Sequence, residues 1–127
     1  MPTTTIPTAN SHLISLSTAT DLTDRYRSNR NSILQTGYQS NDLLPLSETF
    51  NVNDINLLTS QTGCAAIRIY YGMTDNLRVH AILVAVDEDN ADIIPDALES
   101  SNVNENIIVE EGQRCPSLCP PESPLNS

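Results

Sequence analysis

Between Cys64 and Asp87, apolar and polar positions fall into two runs, residues 65–71 and 77–86, both rich in β-branched and aromatic side chains. They flank Gly72, Met73, Thr74, Asp75 and Asn76, where Gly, Asp and Asn supply turn chemistry, and so predict a β-hairpin. Directly opposed residues of an antiparallel pair share a face, so the pattern also predicts a register. Setting Tyr71 opposite Leu77 places Ile69 against Val79, Ile67 against Ala81 and Ala65 against Leu83, a wholly apolar face. The other face then carries Tyr70 opposite Arg78, Arg68 opposite His80 and Ala66 opposite Ile82. A slip of one residue would bring Arg78 and His80 into the apolar face. Ile67, Ile69, Val79, Ala81 and Leu83 are therefore the expected core, and the polar end of the second face is the part expected to be open.

Upstream, Ala19, Leu22, Tyr26, Ile33 and Leu34 recur at helical spacing and predict a helix from Ser17 or Thr18 to about Gln35. Thr18 and Asp21 form its capping pair and Gly37 its stop. Asp21 and Asp24 precede Arg25 and Arg27 at pairing distance, so the arginines of this segment, Arg30 included, read as a solvated face. Leu43, Leu44, Pro45 and Leu46 predict an ordered loop across one edge of the core. Val52, Ile55 and Leu58 predict a second, short helix capped by Asn51 and released by Gly63 into the hairpin. Downstream, an acidic turn leads to a third strand at residues 92–94. Pro95 opens a short helical segment through Leu98, residues 102–106 form a polar loop, and Ile107, Ile108 and Val109 make a fourth, edge strand blunted by Glu110 and Glu111. The expected fold is α+β: an antiparallel sheet of three to four strands built on a central β-hairpin, with two helices packed on one face.

Within the 127 residues, the Thr- and Pro-rich stretch 1–12 reads as a flexible N-terminal arm. Residues 13–112 read as a single α+β domain, and residues 113–127 as a Cys/Pro-rich tail that the domain should not need in order to fold. With four Tyr, one Phe and no Trp, the core must be aliphatic. Every cation is an arginine. Nearly all of the formal charge of −10 falls after residue 86, where Arg114 is the only cation. Such a balance disfavours a phosphate backbone as partner, since affinity there comes from cations displacing counterions. No stretch approaches the roughly 18 apolar residues of a membrane span, and the N-terminus lacks the basic and apolar regions of a secretory signal. The expectation is a cytoplasmic protein with no membrane and no nucleic-acid partner, although export by a route that reads no N-terminal signal stays open.

Candidate chemistry is sparse. Residues 87–92 invite a calcium reading, but Ala91 falls where a ligand is required and Asp92 where the loop needs Gly. Cys64 at the head of a strand suits a buried small hydrophobe. Cys115 and Cys119, each followed by proline (Pro116, Pro120), lack the second ligand pair of a zinc site. A local disulfide between them needs a tight turn; reduced thiols, or a tail docked on a partner, are the competing readings. No cofactor or metal is expected. On the sheet, Arg68, Tyr70, Arg78 and His80 are the candidate ligand-binding set: arginine suits an anionic group, and histidine can move protons near neutral pH.

The segment from Gly63 to Pro95, together with EEGQRCPSLCP, resembles a group of short, uncharacterised bacterial proteins with an RIYYGM strand-and-turn, an acidic turn after Val-Asp and a Cys/Pro-rich end. The resemblance spans roughly residues 63–121 and implies only that hairpin and tail belong to one design, since no activity accompanies it.

Three functional readings follow. The first is a non-catalytic protein-interaction or assembly module that acts through its terminal arms, including Cys115, Pro116, Cys119 and Pro120, toward a protein partner or a second copy. The alternative is a small-ligand binder or enzyme using the Arg68, Tyr70, Arg78 and His80 face, with Cys64 as its nucleophile. The third is an acidic inhibitor or immunity protein covering a basic site.

Overall fold

The computed structural model describes residues 5–39, 41–95 and 107–126. The expected helical segment through Leu98 and the polar loop at 102–106 lie outside these residues. Helix α1, Leu16–Asn29, starts earlier than its apolar spacing suggests, because Ser15 and not Thr18 takes the cap, its Oγ accepting from Thr18 N at 3.0 Å. It also ends earlier, where the Asn29 side chain donates to Arg25 O at 2.8 Å; a 3₁₀ turn, Thr36–Tyr38, runs through Gly37. Strand β1, Ser47–Thr49, precedes helix α2, Val52–Thr59, which Asn51 caps as expected through its side chain to Asn53 N. Gly63 then takes the left-handed conformation, φ 84°, that releases the chain into the hairpin.

The hairpin is β2, Ala66–Met73, and β3, Val79–Val86. Strand β4, Asp92–Ile93, pairs with β3 where the third strand was expected, and β5, Ile108–Val109, pairs with β3 at Leu83 and Val84 as the fourth. Strand β6, Gln113–Cys115, pairs with β1 in a separate two-stranded ribbon. The molecule is thus α+β, with antiparallel sheets of four and two strands and two helices among the described residues.

The register differs from the expected one. Ile69 faces Leu83, Tyr71 faces Ala81, Arg68 faces Val84 and Gly72 faces His80, so Arg68 does not lie across from His80. The displacement is an even number of residues, which keeps every side chain on its expected face. Its cause is Gly72. Read as a turn residue, it belongs to the strand, because Ile82 occupies the space a side chain would need: a Cβ there would meet Ile82 Cδ1 at 2.8 Å. The turn moves to residues 74–78, closed by Leu77 N to Thr74 O at 2.9 Å and by Arg78 N to Thr74 Oγ1 at 3.1 Å. Leu77, with φ 68°, takes the left-handed position.

The core also lies elsewhere. Leu58 of α2, Leu83 of β3 and Val109 of β5 form its centre, with Phe50, Ile55 and Ile107 packed around them. Of the five expected core residues only Leu83 is buried; Ile67 and Ile69 are exposed, and Val79 and Ala81 are half-buried. The physical reason is coverage. Helix α2 packs on β2, β3 and β5, whereas α1 contributes no buried residue; its Leu22 is exposed, as is Ile33 in the turn that follows it. The half-buried side of α1 instead includes Arg27 and Arg30, expected to be solvated. Arg27 bonds Asp24 and the Leu125 carbonyl; Arg30 donates to Leu44 O at 2.6 Å and stands 3.6 Å from Asp42.

The β1–β6 ribbon closes the edge of β3. Beyond β5 no strand among the described residues pairs with that edge, and three groups take its place. Leu43 O accepts from Val79 N at 2.7 Å, the Glu48 carboxylate accepts from Ala81 N at 3.1 Å, and Arg114 Nε donates to Val79 O at 3.2 Å. Glu48 and Arg114 are cross-strand partners in the ribbon. Arg114 also donates to Asp42 O and Leu43 O, so one guanidinium ties two backbone segments to β6. Residues 113–115 are therefore part of the folded body, and the expectation of a tail dispensable from Gln113 onward is revised.

Leu58→Ala should cost about 2–5 kcal/mol, while Ile69→Ala, at a site 51% exposed, should cost under about 1 kcal/mol in denaturant unfolding. A larger loss at Ile69 would show that its face is covered. Arg114→Ala, which takes one donor from each of three carbonyls, should cost about 2–4 kcal/mol, and removal of residues 113–127 at least as much; an unchanged melting temperature would refute the docking role of the ribbon.

Candidate functional site

The expected polar set does not converge on one place. Arg68 and Tyr70 share a face of β2 and both reach Asp92 on β4, across the intervening β3: Arg68 forms an ion pair with the carboxylate, and Tyr70 Oη donates to Asp92 Oδ2 at 2.5 Å. Arg68 also bonds the Asn90 side chain and donates to Asn90 O at 3.3 Å. Burial opposes the guanidinium charge, but the hydrogen bonds and charges of Asp92 and Tyr70 outweigh it, and the Arg68 pKa moves further up. Arg78 lies in the turn before β3. His80 Nδ1 stands 3.1 Å from Glu110 Oε1, at ion-pair distance but outside hydrogen-bond geometry.

The acidic run is turn chemistry. Asp87 Oδ1 accepts from Asp89 N and Ala91 N, both at 2.9 Å, and Asn90 takes the left-handed position with φ 66°. Among the described residues no group of three or more His, Cys, Asp or Glu is placed to hold a metal. Cys64, half-buried and outside any disulfide, donates its thiol to Ala66 O at 3.5 Å. Cys115 and Cys119 form a disulfide across a turn with Cα atoms 4.6 Å apart, in place of the two reduced thiols that were one of the competing readings. Cys115 is buried, while Cys119, Pro120 and Leu125 line a hollow of about 740 Å³ shared with Thr23 and Arg27 of α1. The tail is thereby laid along α1, held by Arg27 at the Leu125 carbonyl.

What the structure offers as a site is the apolar face of the hairpin. Ile69 and Tyr71 of β2 and Leu83 of β3 form the floor of an open groove of about 750 Å³, walled by Tyr26, Leu44 and Phe50. Tyr71 is 78% exposed. The walls come from well-separated parts of the chain. Tyr26 Oη donates to Pro45 O at 2.6 Å, fixing α1 against the loop that carries Leu44, and Gly112 lets the tip of the Phe50 ring approach its backbone, since a Cβ there would stand 2.7 Å from the ring. Beyond Phe50 a smaller pocket is lined by Asp54, Glu110 and Glu111. Sequence reasoning put Ile69 and Leu83 in the core and Tyr71 on the same apolar face. The available signal was α1 itself, whose stripe is interrupted by Asn29 and whose remaining positions are Thr, Asp, Arg and Ser, too polar to cover a sheet.

Comparison of the chain with protein-family models, with curated proteins and with solved structures finds no match. No helix among the described residues is long and apolar enough to cross a membrane.

Burial pushes the Tyr26 phenol above its ordinary range, against the lowering effect of Arg30 and Arg114. A tyrosine whose folded pKa is raised contributes stability below the unfolded value near 10, and that stability is lost as pH rises through and beyond it. Tyr26→Phe should lose about 1 kcal/mol at neutral pH through its hydrogen bond to Pro45 O. Its deficit relative to wild type should shrink as alkaline unfolding is followed upward from about pH 9. A deficit that grows with pH would contradict the assignment.

Proposed function

We propose that the protein is a non-catalytic interaction module, and that it binds a protein partner at the apolar groove beside its docked C-terminal tail. The observation that carries this reading is the groove itself: large apolar side chains left open on a sheet whose opposite edge is sealed with care. Exposed contiguous apolar surface of this kind marks interaction sites in soluble proteins. The polar candidates support the same reading by their occupation, since Arg68 and Tyr70 are committed to Asp92 and His80 faces Glu110. The tail contributes as a wall, its Cys119, Pro120 and Leu125 lining the hollow next to the groove and Tyr26 bordering both. In place of a terminal arm that orders on contact, the reading becomes a preformed surface, which avoids the entropic cost of ordering at binding.

The test compares proteins retained from native cells by immobilised wild type, by an Ile69→Glu/Tyr71→Glu variant and by an Arg78→Ala/His80→Ala variant, each shown to be folded by circular dichroism. A protein retained by wild type and by Arg78→Ala/His80→Ala, but lost by at least tenfold from the groove variant, is the expected result; one lost tenfold corresponds to about 1.4 kcal/mol. Retention unaffected by the groove substitutions, or lost only with Arg78 and His80, would transfer the function to the polar cluster.

A further inference from the structure

The outer edge of β2 carries a second surface, made of backbone groups where the groove floor is made of the Ile69 and Tyr71 side chains. Val79 and Ala81 turn their backbone groups away from β2, toward Leu43, Arg114 and Glu48. In an antiparallel ladder their cross-strand partners Met73 and Tyr71 then point N–H and C=O away from β3, and by alternation so do Ile69 and Ile67. Among the described residues β2 pairs with β3 alone. Four consecutive outward-bonding positions thus carry Ile67, Ile69, Tyr71 and Met73, all exposed. The strand itself carries no protection: there is no lysine, no proline and no bulge within Ala66–Met73, and its one charge, Arg68, is drawn back to Asp92.

We infer that this edge pairs with β2 of a second copy of the chain, antiparallel about a two-fold axis at Tyr70. The register follows from the chemistry. An axis at Tyr70 sets Ile67 opposite Met73 and Ile69 opposite Tyr71, so every outward-bonding residue of the strand finds a bonding partner. An axis at Ile69 would leave Met73 beyond the end of the partner strand, and one at Arg68 would set two guanidinium-bearing residues against each other. With the axis at Tyr70, Arg68 faces Gly72, which has no side chain to obstruct it. Charge also selects a copy over a basic partner. The acids that would draw a basic segment, Asp54, Glu110 and Glu111, line the pocket beyond Phe50, whereas Arg68 and Asp92 neutralise each other beside β2. Thr5 and Pro7 stand near Ala66, Ile67, Arg68 and Ile69, which makes the N-terminal arm the competing occupant of the first half of the edge.

Sedimentation equilibrium of the full chain over a range of concentrations tests the pairing, using two exposed positions outside the groove. Ile67→Glu and Met73→Lys are each expected to weaken self-association by about tenfold, since either substitution is repeated at two symmetric contacts. Combined in one chain they should restore it, because the axis at Tyr70 brings the introduced opposite charges together only between copies. Wild type that stays monomeric overturns the inference, as does monomeric wild type that dimerises once residues 1–12 are removed, the sign of an arm covering the edge. Dimers indifferent to all three variants, or singles that are weakened and not rescued by combination, also overturn it. Ile69 and Tyr71 are unchanged throughout, so none of these outcomes bears on capture of a partner at the groove.

Discussion

The structure depends on how a sheet edge is closed without a strand. Between Val79 and Ala81, β3 has β2 on one side and, on the other, a carbonyl, a carboxylate and a guanidinium supplied by Leu43, Glu48 and Arg114. A buried edge needs its backbone groups satisfied as fully as a paired one. Here the requirement fixes the ribbon of β1 and β6, and with it the loop at 42–46, against the main sheet. The disulfide between Cys115 and Cys119 sits at the end of the same ribbon, so the tail begins from an anchored point.

A thin aliphatic core makes such ties necessary. The buried cluster of Leu58, Leu83 and Val109 lies under α2 alone, and no aromatic side chain among the described residues is fully buried. Segments outside this cluster are held by arginine forks on backbone carbonyls: Arg27 at Leu125, Arg30 at Leu44, Arg68 at Asn90 and Arg114 at Val79, Asp42 and Leu43. A planar guanidinium with several donors can serve diverging acceptors, which the point charge of lysine does less well. The absence of lysine from the chain is consistent with that use of its cations.

The same architecture explains why function is sought on the apolar face. Helix α1 is fastened by Tyr26 and Arg30 to the loop at 44–45 and stands as a wall beside the sheet. Ile69 and Tyr71 therefore remain in the open, in a groove with apolar sides, while the polar face is drawn together by Asp92. Sealed along the β3 edge and open on its apolar face, the sheet presents the surface that the proposed interaction would use.

Alternation along the hairpin was enough to assign each of its side chains to a face, because a strand has a period of two and an even displacement preserves it. The cap at Asn51, the left-handed Gly63 and the acidic turn were legible because each rests on interactions within a few residues, and the strands at Asp92 and Ile108 because their β-branched side chains favour extended backbone. The register was not, since it turned on whether Gly72 served a turn or made room for Ile82, a contact between strands that no local pattern records. Nor was burial: hydrophobicity marks what would gain from leaving water, but whether Ile69 does so depends on which element arrives to cover it. Tertiary structure sent α2 to the core and α1 to the tail, and turned the expected core face into the candidate site.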